Sequence, residues 1–248
     1  MQEYSVNSDS PQNTQFTTTR WTMVVAAGQV DSADARQALE SLCGKYWSPL
    51  YFYLRRRGYD RTTAEDSVQG FFAHLLEKGG LQRVQPRKYR FRSFLLASLK
   101  HFMADEWRRT QTARRGGGKR VLPLEFEQAE AGYLLEPGDR LSADRLFDRS
   151  WAMTVIAGAM ETLGREYAKA GKDELFEQLK AHMTTDAEAG FYPESAARLG
   201  MSEGAVRVAV HRLRRRLREL IRREIAETVT TAEEIEEEIG DLFAAFEQ

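Results

Sequence analysis

Apolar residues along this 248-residue chain return every three or four positions almost throughout, and no run of β-branched residues alternates with polar ones between turn signals. A helix, with about 3.6 residues per turn, gathers positions spaced this way onto one face, whereas a half-buried strand needs a period of two. The spacing therefore predicts an all-α fold.

Leu39, Leu42, Cys43, Tyr46 and Leu50 share one such face. Ser32 is placed to cap a helix that runs to about Trp47, and Ser48-Pro49 fits the cap and first position of a continuation ending at Arg57, with Gly58 as terminator. Cys43 is the only cysteine, so it has no internal disulfide partner and is expected as a small buried hydrophobe. Thr62-Thr63-Ala64-Glu65 reads as a capping box for a second helix. Its apolar face is Ala64, Val68, Phe71, Phe72, Leu75 and Leu76, and Gly79-Gly80 closes it. A third helix is predicted over Phe91 to Arg109, where Phe91, Phe94 and Phe102 share a face with Leu95, Leu99 and Met103 and so read as core, not as stacking platforms.

Between Thr110 and Asp139 the period fades and turn formers gather: Gly116-Gly117-Gly118, Pro123, Gly132, Pro137 and Gly138. This stretch reads as a linker. Ser142 then opens a long helix to about Lys169, Gly171 stops it, and a shorter helix covers Lys172 to His182.

A net charge of −1 conceals a division of charge along the chain. Arg83 to Arg120 holds twelve Lys and Arg against two acids, and Arg198 to Arg223 holds nine Arg against two Glu. From Glu224 onward there are nine acids and no Lys or Arg. Two basic stretches followed by an anionic end point to interaction surfaces.

The most specific local pattern is Ser195-Ala196-Ala197-Arg198-Leu199-Gly200-Met201-Ser202-Glu203-Gly204-Ala205-Val206-Arg207. It reads as a helix-turn-helix: Ala196 is small where two helices cross, Gly200 takes the turn conformation, and Ser202 caps the second helix. Val206, Val210, Leu213, Leu217 and Ile221 form the buried stripe of that helix. Its outward side offers Glu203, Gly204, Arg207, Val208, His211 and Arg212 to base edges in a major groove. Arg214, Arg215, Arg216 and Arg218 lie further along, where phosphate contact is expected.

Taken together, the two halves resemble the extracytoplasmic-function (ECF) sigma factors of bacterial RNA polymerase. Leu50-Tyr51-Phe52-Tyr53-Leu54-Arg55-Arg56-Arg57-Gly58 and Ala64-Glu65-Asp66-Ser67-Val68-Gln69-Gly70-Phe71-Phe72 look like that family's region two. Arg90-Phe91-Arg92-Ser93-Phe94-Leu95-Leu96, leading to Asp105-Glu106-Trp107-Arg108-Arg109, resembles its minus-10 reading helix, and Ala196 to Arg218 resembles region four. The likeness spans roughly residues 21 to 228. It implies a polymerase-binding face at Glu65, Asp66 and Gln69, which fall together opposite the apolar stripe; Glu65 also completes the proposed cap with Thr62. It implies minus-10 contacts from Arg92, Lys100, His101, Asp105, Arg108 and Arg109, with Lys100 and His101 nearest the flipped base. Minus-35 contacts are implied for Ser202, Glu203, Gly204, Arg207, Val208, His211, Arg212, Arg214 and Arg215. The family usually carries an acidic residue where Gly70 stands, so clamp affinity here would be weaker or supplemented. A phosphate on Thr62 or Thr63 would add such charge.

The expected architecture is thus two helical domains: a disordered lead over 1–20, a region-two-like domain over 21–110, a flexible linker over 111–140, a region-four-like domain over 141–229 and an acidic helical extension over 230–248. Core RNA polymerase and promoter DNA are the expected partners, with an anti-sigma protein or a kinase as candidates for control. Another reading keeps the helix-turn-helix as a transcription regulator without the sigma role.

Enzyme readings fail on geometry. Glu65 and Asp66 point about 100° apart on a helix, and Gly116-Gly117-Gly118-Lys119 lacks both the preceding strand and the hydroxyl residue of a phosphate-binding loop. His74, His101, His182 and His211 are scattered without zinc spacing, so neither metal nor cofactor is expected. The polar first residues lack a secretory pattern and no apolar run would span a bilayer, which predicts a cytoplasmic chain without membrane contact. Finally, the acidic end, Glu233 to Glu238 with Ile235, Ile239, Leu242, Phe243 and Phe246 on an apolar side, is expected either to fold back over the arginine-rich helix and lower DNA binding in the free protein, or to pack as a helix for stability.

Overall fold

A computed structural model of the chain describes residues 20–26, 33–77, 90–110, 124–136, 141–183 and 190–247, with the backbone alone at 25, 26 and 107–110. Every regular element among them is helical. The expectations for the lead, for Ser32, Gly79-Gly80 and the Gly116 to Lys119 stretch lie outside the described residues, as does the side chain of Trp107.

Helix α1 (Arg20–Ala26) precedes α2 (Ala33–Arg56), which is one long element bent at Tyr46, whose φ of −112° and ψ of 23° leave the helical region. Pro49 causes the break, because its ring lacks an N–H and would clash with the carbonyl four residues earlier. The predicted continuation after Ser48 is therefore realised as a kink, and Leu39, Leu42, Cys43, Tyr46 and Leu50 are all buried. Gly58 takes φ +91°, which only glycine adopts without strain, and ends the run.

Helix α3 (Arg61–Leu76) starts earlier than the capping-box pattern predicts. Asp60 is the N-cap: its Oδ1 accepts from the Thr63 backbone N–H at 2.9 Å and its Oδ2 from the Thr63 hydroxyl at 2.7 Å. Aspartate is at least as good a cap as threonine and is ionised, which suits the positive end of the helix dipole. Thr62 thus sits inside the helix, and Glu65 pairs with Arg61 at 2.7 Å instead of closing a box. The predicted apolar stripe holds, with Leu76 half-buried.

Helix α4 (Phe91–Thr110) follows, its Phe91, Phe94, Leu95 and Leu99 buried. Trp21 of α1 is fully enclosed against the rings of Phe91 and Phe94, with centroids 5.2 and 5.0 Å away.

Inside the predicted linker lies α5 (Phe126–Leu135). Its Phe126 ring packs against Trp47 and Tyr51 at 4.7 and 5.5 Å. Gly132, a turn former by composition, is helical here, and a Cβ there would come 3.3 Å from Phe52 Cζ. The glycine lets two helices approach closely, a role that periodicity cannot distinguish from a turn. Tyr51 and Arg55 of α2 meet the buried Glu130 of α5, Arg55 by two bonds of 3.0 and 2.8 Å.

Helix α6 (Ala143–Lys169) begins as predicted, with Ser142 accepting from the Arg145 N–H, and ends before Gly171 at φ +65°. It joins the two apolar clusters of the described residues. Leu146, Phe147, Trp151 and Val155 enter the larger one, with α2, α3, α4 and α5; Ala159 and Leu163 enter the smaller. The smaller also contains α7 (Asp173–Leu179), α8 (Phe191–Leu199) and the first five turns of α9 (Glu203–Ala226). Ile225 and Val229 return to the larger cluster, where the Trp21 N–H bonds Glu227 O and the Phe91 N–H bonds Thr228 O. The division between clusters thus runs across α6 and α9. Burying each large apolar side chain contributes about 1.5–3 kcal/mol, so a helix shared by both couples their stability.

Helix α10 (Ala232–Ala244) opens on a capping box of Thr231 and Glu234 and packs Ile235 and Leu242 into the larger cluster. No helix among the described residues is long and apolar enough to cross a membrane.

Candidate nucleic-acid interface

Helix α8 ends at Gly200, in the left-handed region at φ +61°, and the Met201 N–H bonds back to Ala196 O at 3.0 Å. Ser202 then caps α9, its hydroxyl oxygen accepting from the Ala205 N–H at 3.2 Å. Ala196 is buried at the crossing, and Val206, Val210, Leu213 and Leu217 form the inner stripe. Leu220 takes the last buried place expected of Ile221, which is half-buried between both clusters. A helix-turn-helix geometry results, with the second helix fixed by its inner face.

The outer face of α9 carries Glu203, Gly204, Arg207, Val208, His211, Arg212, Arg215 and Arg218, all exposed. Arg207 is held over the Tyr192 ring with its guanidinium carbon 3.9 Å from the centroid, a cation–π contact that limits its rotamers while leaving its donors outward. Val208 is an exposed apolar group amid these charges. Arg214 and Arg216 differ from their neighbours. Arg214 donates to the His182 carbonyl at 2.8 Å, and Arg216 grips Glu166 of α6 by bonds of 2.9 and 2.7 Å. Those bonds hold the Glu166 carboxyl below its ordinary range. Phosphate contact is the sequence expectation for both; turned toward the protein instead, Arg214 braces the base of the helix-turn-helix and Arg216 ties α9 to α6.

On α4 the expected contacts separate. Arg92 is engaged: Glu238 accepts from its Nε at 2.8 Å, Asp148 and Asp241 take its terminal nitrogens, and its guanidinium carbon lies 4.6 Å from the Trp151 ring centre. Arg90, immediately before the first residue of α4, pairs with Glu237, Glu238 and Asp241. Lys100 meets Asp144 of α6 at 2.6 Å and lies over Tyr53. His101 and Asp105 are exposed, and the side chains of Arg108 and Arg109 lie outside the description.

Glu65, Asp66 and Gln69 lie on the surface side of α3, Asp66 exposed and the other two half-buried. Gly70 has room for a side chain, since a Cβ would meet only Phe102 Cζ at 3.5 Å. Among the described residues no group of His, Cys, Asp and Glu could hold a metal ion.

Sequence reasoning missed the acids that hold Arg90 and Arg92. Glu236 of α10 does reach Arg222 on the arginine-rich helix, as folding back predicts. Three other α10 acids instead turn to the start of α4. A signal was present: Glu238 falls within the stripe of Ile235, Ile239 and Leu242, and a carboxylate inside an apolar stripe requires a cationic partner. Glu238 is buried, and that burial pushes its carboxyl above the ordinary range against the opposing pull of Arg92 and Arg90.

Comparison of the chain with protein-family models, with curated proteins and with solved structures finds no match.

Proposed function

We propose that this chain is a promoter-recognition factor of the ECF sigma type, binding core RNA polymerase and directing it to DNA without catalysing a reaction. The observation that carries the reading is the outer face of α9: behind a glycine turn and a serine cap, Arg207, Val208, His211 and Arg212 stand exposed on the first turns of a helix fixed on its other side. Such a helix enters a major groove by its N-terminal part, where arginine reads guanine and an aliphatic group meets the thymine methyl. In this reading Glu65, Asp66 and Gln69 of α3 contact the polymerase, and α4 contributes the minus-10 contacts through Lys100, His101, Asp105, Arg108 and Arg109, with Arg92 joining once released. The protein then works in the cytoplasm, with the polymerase.

The test is in vitro transcription with core polymerase on a library of genomic fragments, with and without the protein. New, protein-dependent start sites sharing upstream sequence are expected. Tight binding to a duplex operator together with no transcript and no polymerase association would instead identify a helix-turn-helix regulator.

A further inference from the structure

We propose that α10 is an internal competitor for nucleic-acid phosphate at the start of α4, occupying Arg90 and Arg92 until a DNA strand displaces it. The inference rests on the DNA-binding reading above and names a control over it. Carboxylates and phosphates present the same paired oxygens to a guanidinium, so Glu237, Glu238 and Asp241 take the coordination positions that a DNA backbone would use. The two arginines cannot serve both at once. Arg92, whose side chain is 13% exposed, has its donors divided among three carboxylates.

The docking is thin enough to be reversible. Helix α10 buries only Ile235 and Leu242 as large apolar groups, whereas α9 buries Val206, Val210, Leu213, Leu217, Leu220 and Ile225. Phe243 remains 58% exposed. Glu238 adds an ionised group in a poorly solvated place, so the docked state carries an electrostatic cost that undocking relieves. By Glu236 the same helix also neutralises Arg222 of α9, so release would free cations on both basic stretches.

The experiment measures binding of the full-length chain to a fluorescein-labelled single-stranded oligonucleotide by anisotropy across salt concentrations. The variant Glu237→Gln/Asp241→Asn opens the clasp at its two exposed acids. A control, Glu233→Gln/Glu247→Gln, removes the same two charges from the acidic end without touching the arginines. The clasp variant should bind about tenfold more tightly, with a log–log salt slope steeper by about 1.4, twice the roughly 0.7 expected per single-strand phosphate. The control should gain less than about twofold, and adding Arg90→Ala to the clasp variant should halve the change in slope to about 0.7, since Arg92 alone is then left to take a phosphate. Should the double variant lose its helical signal in circular dichroism, Asp241→Asn alone reads the same effect at about threefold. Equal affinities for the clasp and control variants would overturn the proposal and make α10 a stability element, while duplex binding sensitive to Arg212→Ala would keep the DNA reading intact. If wild type and every variant bind neither single strand nor duplex, both fall together.

Discussion

The start of α4 and the outer face of α9 place the same side chain in opposite surroundings. At α4, Arg90 and Arg92 lie where three helices meet, and carboxylates from α6 and α10 surround them. On α9, Arg207, Arg212, Arg215 and Arg218 radiate from a helix whose other face is buried, and Arg215 meets Glu219 at 3.8 Å across one turn. An exposed pair of that kind is worth about 0.3–0.5 kcal/mol and is readily exchanged for a phosphate. Arg92 is held by carboxylates from two helices, one of them the buried Glu238, so it becomes available only when α10 lifts away as a whole. Charge density along a sequence therefore identifies a basic region, but a buried carboxylate decides whether its arginines are available.

The sharpest way to break this contrast is on α9. Arg207→Ala/Arg212→Ala should lower duplex affinity by about 10³-fold, taking about 2 kcal/mol per lost base contact, while the melting temperature stays unchanged. Equal duplex affinity in an electrophoretic shift assay would remove α9 from the interface. Next in size, Glu238→Ala takes from Arg90 and Arg92 the buried carboxylate they share while Glu237, Asp241 and Asp148 remain, and should cost about 1.5 kcal/mol in urea denaturation. A cost under about 0.5 kcal/mol would mean that the clasp carries no stability. Arg216→Ala sharpens the comparison from within α9: with Glu166 half-exposed, a loss of about 1 kcal/mol in stability and no change in duplex affinity are expected.

A pH experiment tests the buried acid that α5 presents to α2, Glu130. Arg55 hydrogen bonds, helped by the Tyr51 hydroxyl and opposed by burial, hold the Glu130 carboxyl below its ordinary range. Its stabilisation is therefore complete above a glutamate's unfolded value of about 4.3 and drains away as pH falls through the lower folded value. The melting difference between wild type and Glu130→Gln should be constant from neutral pH to about 5 and shrink below about 4. Growth of that difference in acid would reverse the assignment. The smallest effect concerns Gly70→Glu: the site has space and glycine is a poor helix former, so stability should rise by about 0.5 kcal/mol in thermal melts. A destabilisation beyond about 1 kcal/mol would show that α4 packs against α3 more tightly than Phe102 alone implies.

Where the helical period is strong and the face is uniformly apolar, the fold was legible: α2, α3, α4, α6 and the helix-turn-helix all lie close to their predicted places. Gly200 and Ser202 were legible too, because left-handed turns and caps make local chemical demands. The cap at Asp60 was obscured by two equally suitable threonines just after it. Helix α5 was obscured by Gly132, whose helical role depends on Phe52, a residue 80 positions earlier. The larger cluster escaped for a similar reason, since Trp21, Phe91 and Thr228 meet only in three dimensions. Arg92 and Arg214 read as DNA contacts by position alone, and their partners Glu238 and the His182 carbonyl lie 146 and 32 residues away.

Arginine-selective labelling with phenylglyoxal, read by mass spectrometry with and without duplex DNA, tests the contrast most directly. Fast modification of Arg207, Arg212 and Arg215, protected by DNA, and slow modification of Arg90 and Arg92 are the predicted result. Labelling of Arg90 and Arg92 as fast as Arg212, or DNA that shields none of the α9 arginines, would contradict it.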